Sequence, residues 1–465
     1  MALKFGVCGI IKRGLIMRRA PVAMTIAGSD SGGGAGIEAD LKTFSALGVH
    51  GAVAITSITA QNTYSVSAVF DLPGWLVYEQ IRVVVEDMGV DAAKTGMLSN
   101  SEIIESVVKA IEEFKIPLVV DPVMIAKSGA RLLREDAVEA LTLKLLPHAR
   151  LVTPNAPEAE VLSGLRIRSL EDAERAARVI SEKYGVEAVV VKGGHLGGDR
   201  VVDVLYYRGG LYHYESERVE GCTHGGGCSY SAAIAAHLAR GLDIVEAVGR
   251  AKEFIVWAIK YGLRVGRGHC PVNPIAWLEI PAEKFRVLSS VERAVRVLLE
   301  NSSRVLKHTP EVGINIVEAV DSKYAASVSD VAGVRGRIVR AGDKLVAVGP
   351  VEFGASSHLA RLVLEAMKVD PLIRAAVNVK YSEELVVKAK SRGYLVVFVD
   401  RRAEPEEIRS VEGASLPWIL REAVKQAGRV PDIIYDIGDV GKEPMIRILG
   451  RSAIEVISKL LDITM

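Results

Sequence analysis

The sequence predicts an α/β chain in two parts, a doubly wound parallel-sheet domain followed by a second, smaller layered α/β domain. Three observations carry this expectation. The chain has 465 residues, and at roughly 150 residues per domain that implies two to three cores. From Val22 to Val265, short apolar runs with little polar alternation are separated by amphipathic segments, the pattern of parallel strands covered on both faces. Between Gly266 and Phe285 this rhythm stops at Pro271, Pro274 and Pro281, and a second series of elements begins.

Taken in order, strands are expected at 22–27, 51–58, 92–96, 117–120, 151–153 and 188–192, with helices at 37–47, 76–87, 101–114, 136–145, 156–162 and 170–184. A hairpin follows, 201–207 with 210–216 turning at Arg208-Gly209, and a long helical tail begins after Gly225–Gly227. The second part is expected to open with a helix at 287–301. Its strands are placed at 313–317, 344–348, 375–379, 395–398 and 433–435, and its helices at 357–367, 382–392, 416–427 and 452–461. The domains are therefore drawn as 20–280 and 288–465.

Composition excludes several classes. The 58 Lys+Arg against 57 Asp+Glu leave a formal net charge of +1, so a broad nucleic-acid surface is not expected. Hydrophobic content of 49% with 25% charged residues is that of a folded globular chain. Met1 to Met24 carries Lys12, Arg13, Arg18 and Arg19 but neither a membrane-length apolar run nor a secretory cleavage pattern, and reads as a frayed or mis-assigned start. Cys8, Cys222, Cys228 and Cys270 are too few and scattered for a disulfide framework, which points to the cytoplasm. Gln61, Gln80 and Gln426 are the only three glutamines, a scarcity of thermolabile amides common in proteins from hot environments.

Two glycine loops carry the chemistry of the first part. Gly28 to Gly36 follows the first strand and opens a helix bearing Asp40, so backbone N–H groups can approach a ligand at a helix N-terminus. The spacing is neither a Walker A loop nor G-x-G-x-x-G, and a tight strand-to-helix turn is the competing reading. Thr223 to Ser229 precedes another helix. Its backbone donors Gly225, Gly226 and Gly227 suit a transferred phosphoryl group, and Cys228 at the helix dipole is a candidate thiolate base on a substrate hydroxyl. A small packed thiol is the alternative for Cys228. A zinc site from Cys222, His224 and Cys228 lacks its remaining ligands.

These motifs, with Ala60-Gln61-Asn62-Thr63, Lys94-Thr95-Gly96-Met97-Leu98, Asp121-Pro122-Val123-Met124, Thr153-Pro154-Asn155 and Val191-Lys192-Gly193-Gly194-His195, resemble the hydroxymethylpyrimidine and hydroxymethylpyrimidine-phosphate kinases, enzymes of the ribokinase-like fold. The resemblance implies that Gly28, Asp40, Gln61, Met97, Val123 and Cys228 line a pyrimidine pocket. It implies further that Asn155, Glu158, Lys192 and Gly225–Gly227 serve ATP with Mg2+. The family usually has threonine where Gly226 stands, so one hydroxyl near the phosphate is lost. Pyridoxal-type alcohols are a conceivable side substrate.

In the second part, Gly354, Ala355, Ser356 and Ser357 precede a helix that carries His358, with Arg335, Arg337 and Arg361 in the same polar cluster. Hydroxyls, N–H groups, imidazole and planar guanidinium forks suit a phosphate or diphosphate, although local helix-end contacts would also explain His358. With Asn378-Val379-Lys380-Tyr381, Asp400-Arg401-Arg402 and Asp436 to Met445, residues 288–465 resemble the archaeal-type thiamine-phosphate synthases. That resemblance implies coupling of hydroxymethylpyrimidine diphosphate to thiazole phosphate, with Arg337 and protonated His358 stabilising the departing diphosphate and Asn378 in the substrate pocket. Asp436 and Asp439 are candidate Mg2+ ligands, or else a solvated loop pair. The alternative for this part is a non-catalytic module that senses thiamine phosphate. Small-molecule substrates, no nucleic acid, no membrane and a homodimer complete the expectations.

Overall fold

The computed structural model describes residues 19–124, 135–195, 197–439 and 441–465. Met1 to Arg18, most of the expected frayed start, lies outside them. The chain divides into two compact units, Met1–Trp277 and Leu278–Met465.

In the first unit, strands β1 (Val22–Ala27), β2 (His50–Ile55), β5 (Ala92–Thr95), β6 (Leu118–Val120), β7 (Leu151–Val152), β8 (Ala188–Val191), β9 (Arg200–Tyr207) and β10 (Gly210–Glu217) form one sheet in the order β10-β9-β8-β7-β6-β5-β1-β2. The strands from β2 to β8 in that sheet are parallel, while β9 and β10 run antiparallel at one edge. Every residue of β1 is buried because helices cover both faces. Val22, Met24 and Ile26 pack with helices Gly74–Met88, Ser101–Phe114 and Leu170–Tyr184. Ala23, Ala92 and Ala188 face the other way, where small side chains admit the alanine-rich helix Gly226–Ala239.

The run expected as one strand at 51–58 is broken. Thr56 N–H donates to Ala27 O at 3.0 Å, and the chain then leaves the sheet to form the hairpin β3 (Ser57–Gln61) and β4 (Val66–Asp71). A continuous apolar run carries no sign of such a change of partner. The helix expected at 136–145 is α-helical over Glu135–Ala140 and continues as wider and tighter turns to His148.

The division between the two units, at Trp277/Leu278, falls inside the stretch 266–285. Residues 266–272 dock on the first unit: His269 N–H donates to Thr63 O at 2.8 Å and Val272 N–H to His224 O at 3.0 Å. A single helix, Ala276–Glu300, runs through Pro281. Gly266 and Gly268 stand where Thr63 leaves no space for a Cβ, which accounts for the lost periodicity there.

The second unit contains β11 (Ile316–Ala319), β12 (Val331–Val334), the hairpin β13 (Ile338–Ala341) and β14 (Lys344–Ala347), β15 (Val351–Phe353), β16 (Ala375–Lys380), β17 (Val396–Phe398), β18 (Ile433–Asp436) and β19 (Met445–Gly450). Its main sheet is seven-stranded, in the order β15-β12-β11-β16-β19-β18-β17. Only β17 and β18 pair in parallel. Helices Ser357–Val369 and Ser415–Ala427 cover the face that carries Val317, Ala376, Ile434 and Leu449. The strands β12, β13, β15 and β19 were not expected from the sequence.

Candidate active sites

In the first unit, loops after β1, β5, β6, β7 and β8 gather at the carboxyl ends of the parallel strands, around β1, whose partners β2 and β5 lie on opposite sides. Crevices in doubly wound sheets open at such a reversal. The two glycine loops meet there. Gly225 has φ of +75°, and a Cβ on it would lie 1.9 Å from Gly34 O, so any side chain would force the loops apart. Asp30 holds the first loop by accepting N–H bonds from Gly32 at 2.8 Å, Gly34 at 3.1 Å and Ala35 at 2.8 Å. His224 from the second loop reaches the same carboxylate. Burial works against the Asp30 carboxylate, but His224 and the N–H donors outweigh it and its pKa falls.

Asp40 lies beneath this junction, fully buried. Its Oδ2 accepts from Thr25 Oγ1 at 2.6 Å and from Lys94 Nζ at 2.9 Å. Its Oδ1 is buried without a hydrogen-bond partner. Burial raises the Asp40 pKa against the pull of Lys94. For Lys94, burial lowers the pKa, but Asp40, Cys228 and Asp121 together hold the ammonium charged. Lys94 belongs to a quoted motif but had no assigned role.

Burial opposes the thiolate expected at Cys228. Its sulfur accepts from Gly36 N–H and feels Lys94, yet burial dominates and pushes the thiol up to about 11. The donor set is also narrower than expected, because Gly226 N–H donates to Thr223 O at 3.2 Å. Gly227 and Cys228 stand in the first helical turn, where N–H groups have no intrahelical acceptor. Gly227 lies beside that pair of charges: a Cβ on it would be 3.5 Å from Lys192 Nζ and 3.6 Å from Asp121 Oδ2.

Lys192 Nζ lies 3.1 Å from Asp121 Oδ1. Asn155 and Glu158 form a reciprocal capping box at the start of helix Ala156–Ser163. Asn155 is bridged in backbone register to Lys192. Burial, with Asp121 adding to it and Lys192 opposing, raises Glu158 to about 7. Gly28 lies against Met97, with the position of a Cβ 3.4 Å from the Met97 sulfur. Gln61 is tied through its backbone to Ser31 Oγ, and Val123 N–H donates to Asp121 O at 2.8 Å. Asp30, Lys94 and Asp121 are the residues that sequence reasoning missed as site components, although all three stand inside quoted motifs.

In the second unit, a polar row crosses the end of the sheet on the face above the apolar cluster. Strand alternation places Gly333, Asn315, Asn378, Arg447 and Asp436 on the side of Val331, Val317, Ala376, Leu449 and Ile434. Asn315 N–H donates to Asn378 Oδ1 at 2.8 Å, and Asn378 Nδ2 donates to Gly313 O at 3.1 Å. Gly333 has no side chain to exclude Ser356, whose Cβ would lie 3.4 Å from a Cβ placed there.

Arg337 turns the chain between β12 and β13 with φ of +70°, rare for a side-chain-bearing residue. Its Nη1 donates to Val312 O at 2.8 Å. His358 opens the helix that begins at Ser357, with Ser357 Oγ 3.3 Å from His358 Nδ1. Ser356 makes no side-chain cap there, so the helix end is open to an anion. Ala355 sits between Ser356 and Gly354, whose N–H is already used by Val331 O at 2.9 Å. Arg361, one turn from His358, has a buried Nη1 with no partner.

Partial enclosure, then Arg337 and Arg361, lower the His358 pKa against Glu412, so the protonated form expected beside diphosphate is disfavoured in the free protein. One expectation changes here. Asp436 does not act as a metal ligand: Oδ2 pairs with Arg447 Nη1 at 2.6 Å, Oδ1 accepts from Gly438 N–H at 2.9 Å, and the residue is fully buried. Asp439 pairs with Arg409 at 3.1 Å. The loop that carries both was read without Arg447 and Arg409.

The scattered-cysteine reading is corrected too. Cys222 and Cys270, 48 positions apart, are joined by a disulfide that closes the base of the His224–Cys228 loop. Among the described residues no helix is long and apolar enough to cross a membrane.

Comparison with known proteins matches each part of the chain to a family. The phosphomethylpyrimidine kinase family model matches residues 30–273, and the thiamine-phosphate synthase ThiN model matches residues 290–462. The bifunctional thiamine biosynthesis protein ThiDN of Methanocaldococcus jannaschii is 32% identical over 446 residues, covering 94% of this chain and 97% of that protein. The bifunctional protein ThiED of Geobacter sulfurreducens is 45% identical over 267 residues, covering 56% of this chain and 54% of that protein. Among solved structures, an ADP complex of Bacillus subtilis pyridoxal kinase matches with a TM-score of 0.52 at 40% identity, covering 55% of this chain and 98% of that one. The chain belongs to the bifunctional thiamine biosynthesis family that joins a phosphomethylpyrimidine kinase to a ThiN thiamine-phosphate synthase.

Proposed function

We propose that Asp40 and Cys228 carry the recognition and proton-transfer parts of the kinase step, and that Arg337, His358 and Arg361 hold the diphosphate in the coupling step. The observation that carries the first assignment is the unpartnered Asp40 Oδ1, a buried acceptor in a pocket that also holds Cys228. An aminopyrimidine supplies the N–H donor that this oxygen lacks. Gly28 against Met97 flanks the ring, and Gln61 and Val123 complete the pocket. Cys228 first releases its own proton to solvent, which Lys94 and the Gly36 N–H favour against burial; the thiolate then takes the proton of the substrate hydroxymethyl group as its oxygen attacks the γ-phosphoryl of ATP and ADP departs. The Gly227 and Cys228 N–H groups with Lys192 stabilise the transferring charge.

Glu158 and Asp121 fit a magnesium ion in the way such ions bind, through one or two carboxylates plus substrate phosphates. Two neighbouring buried carboxylates, one of them pushed up to about 7, favour a cation. Such an ion, held by Glu158 and Asp121, would supply positive charge to offset that of the phosphates.

In the coupling step the carbon–oxygen bond to diphosphate breaks, the thiazole nitrogen forms the new carbon–nitrogen bond, and diphosphate leaves. The unpartnered Arg361 Nη1, the open helix end at Ser357 and Arg337 support its capture at that end. Catalysis is favoured over the sensing alternative because Arg337, Arg361 and the uncapped helix end together offer more donors than the single phosphate of thiamine phosphate needs.

The test uses the full chain with ATP, Mg2+, hydroxymethylpyrimidine and thiazole phosphate. Thiamine phosphate and diphosphate should accumulate in equal amounts. Binding of thiamine phosphate without diphosphate release would establish the sensing role instead.

A further inference from the structure

We propose that Arg401 anchors the phosphate monoester of the thiazole substrate, forming a second anion site apart from the diphosphate site of Arg337 and His358. The inference rests on the synthase reading and adds the residue that selects its second substrate.

Arg401 opens a short turn directly after β17. Its side chain is only 9% exposed. A guanidinium held this deep normally has a carboxylate in hydrogen-bonding contact, because an unpaired buried charge is costly. Arg401 has none: its Nε has no hydrogen-bond partner, and Nη2 stands 3.8 Å from Glu404 Oε2. That same Glu404 oxygen accepts from Lys442 Nζ at 2.9 Å.

The neighbouring acids are otherwise engaged. Asp436 belongs to Arg447, Asp439 to Arg409, and Asp400 to Arg402. Glu404 is therefore engaged by the partly exposed Lys442 and reaches Arg401 only at 3.8 Å, so the buried Arg401 guanidinium is left without a close acceptor. Its charge is felt nearby: burial and Arg401 lower the Arg447 pKa against Asp436. A tetrahedral dianion presented to the planar fork of Arg401 would supply the acceptor it lacks.

Sheet order separates the two sites. Arg337 follows β12 and Arg401 follows β17, with β11, β16, β19 and β18 between them. At about 4.8 Å per strand the two backbones emerge on the order of 24 Å apart, too far for one diphosphate to occupy both. Asn315, Asn378 and Arg447 line the interval. Two phosphorylated substrates joined end to end need an anion anchor at each end.

The experiment compares wild type, Arg401→Gln and Arg401→Lys in the full chain. With the pyrimidine diphosphate saturating, KM for thiazole phosphate should rise by about tenfold or more in Arg401→Gln and less in Arg401→Lys, as expected when a charged hydrogen bond is lost. KM for the pyrimidine diphosphate and the kinase rate should stay within about twofold. In parallel, thiamine phosphate and thiamine are titrated calorimetrically. The Arg401→Gln change should weaken the phosphate ester and leave thiamine unchanged, a readout that does not require turnover. An unchanged KM for thiazole phosphate, equal increases in both KM values, or losses that follow the thermal midpoint rather than the side chain would overturn the assignment. A wild-type chain that binds thiamine phosphate through Arg401 without coupling would refute the synthase reading and keep the anion site.

Discussion

His224 Nε2 stands 3.2 Å from Asp30 Oδ2, joining two glycine loops that lie 194 positions apart in the chain. The contact is part of a clamp, since the same carboxylate gathers three N–H groups of the first loop. The loops touch with no space for a Cβ at Gly225. The position of the second loop, and of Cys228 within it, is therefore set by Asp30 as well as by its own backbone.

Asp30→Ala should reduce the kinase rate by about a hundredfold, because misplacing a reacting group by about 1 Å has consequences of that order. Coupling of pre-made pyrimidine diphosphate by the same protein should be unchanged. Steady-state assays of both activities on one preparation make the comparison, and a kinase rate near wild type would show that the backbone alone positions the loop.

Cys228 should behave as a protonated thiol in the free protein. With its pKa near 11, alkylation by a small uncharged reagent should accelerate about tenfold per pH unit between pH 7 and pH 10, since only thiolate reacts. The identification of alkylated Cys228 by mass spectrometry across that range provides the measurement. A plateau below pH 8 would mean that Lys94 and the Gly36 N–H outweigh burial. Removal of the Lys94 charge by Lys94→Met should slow alkylation at every pH, because the cation lowers the thiol pKa.

The parallel sheet of the first unit was legible because buried strands write uninterrupted apolar runs, and β1 matched its expected limits. The β3–β4 hairpin was not, since the run through Ile55 and Ser57 changes partners without changing hydropathy. In the second unit, β12 and β15 are four and three residues long, and their flanking arginines and glycines drew attention to chemistry instead of strand pairing. Arg447 was missed with β19, the strand that carries it. Site residues inside compact motifs, such as Asp40 and His358, were visible. Asp30 with His224, and Arg401 without a hydrogen-bonded carboxylate, are spatial relations, and no local spacing encodes them.

The Cys222–Cys270 bond should stabilise the first unit measurably. It closes a loop of 48 positions, and a cross-link of that span contributes about 2–4 kcal/mol by restricting the unfolded chain. Cys270→Ser should lower the thermal midpoint of the kinase unit by about 5–10 °C, with the midpoint of the second unit unmoved. Calorimetry with and without a thiol reductant should show the same shift in wild type and none in the variant. The residue Cys270 also holds His224 through its carbonyl, at 3.1 Å. A serine keeps that backbone bond, so any additional kinase defect at low temperature would report loop geometry rather than stability.

His358 should take up a proton when diphosphate binds. In the free protein, burial and the guanidiniums Arg337 and Arg361 depress its pKa below the ordinary value of 6.5, so at pH 7 the ring is neutral. A bound diphosphate reverses the sign of the local field and favours imidazolium, raising the pKa in the complex. Linkage then requires affinity to fall as pH rises through the bound-state pKa, and proton uptake to be largest between the free and bound values. Diphosphate titrates in the same range, so the informative quantity is the difference between wild type and His358→Asn. Calorimetric titrations of inorganic diphosphate at pH 7, in two buffers of different ionisation enthalpy, should give greater proton uptake for wild type by a fraction approaching one proton. Equal uptake in the two proteins would place the anion away from His358 and return that residue to a local helix-end role. Uptake that persists in His358→Asn but disappears in Arg361→Gln would instead indicate that the arginine organises another titrating group at the same helix end.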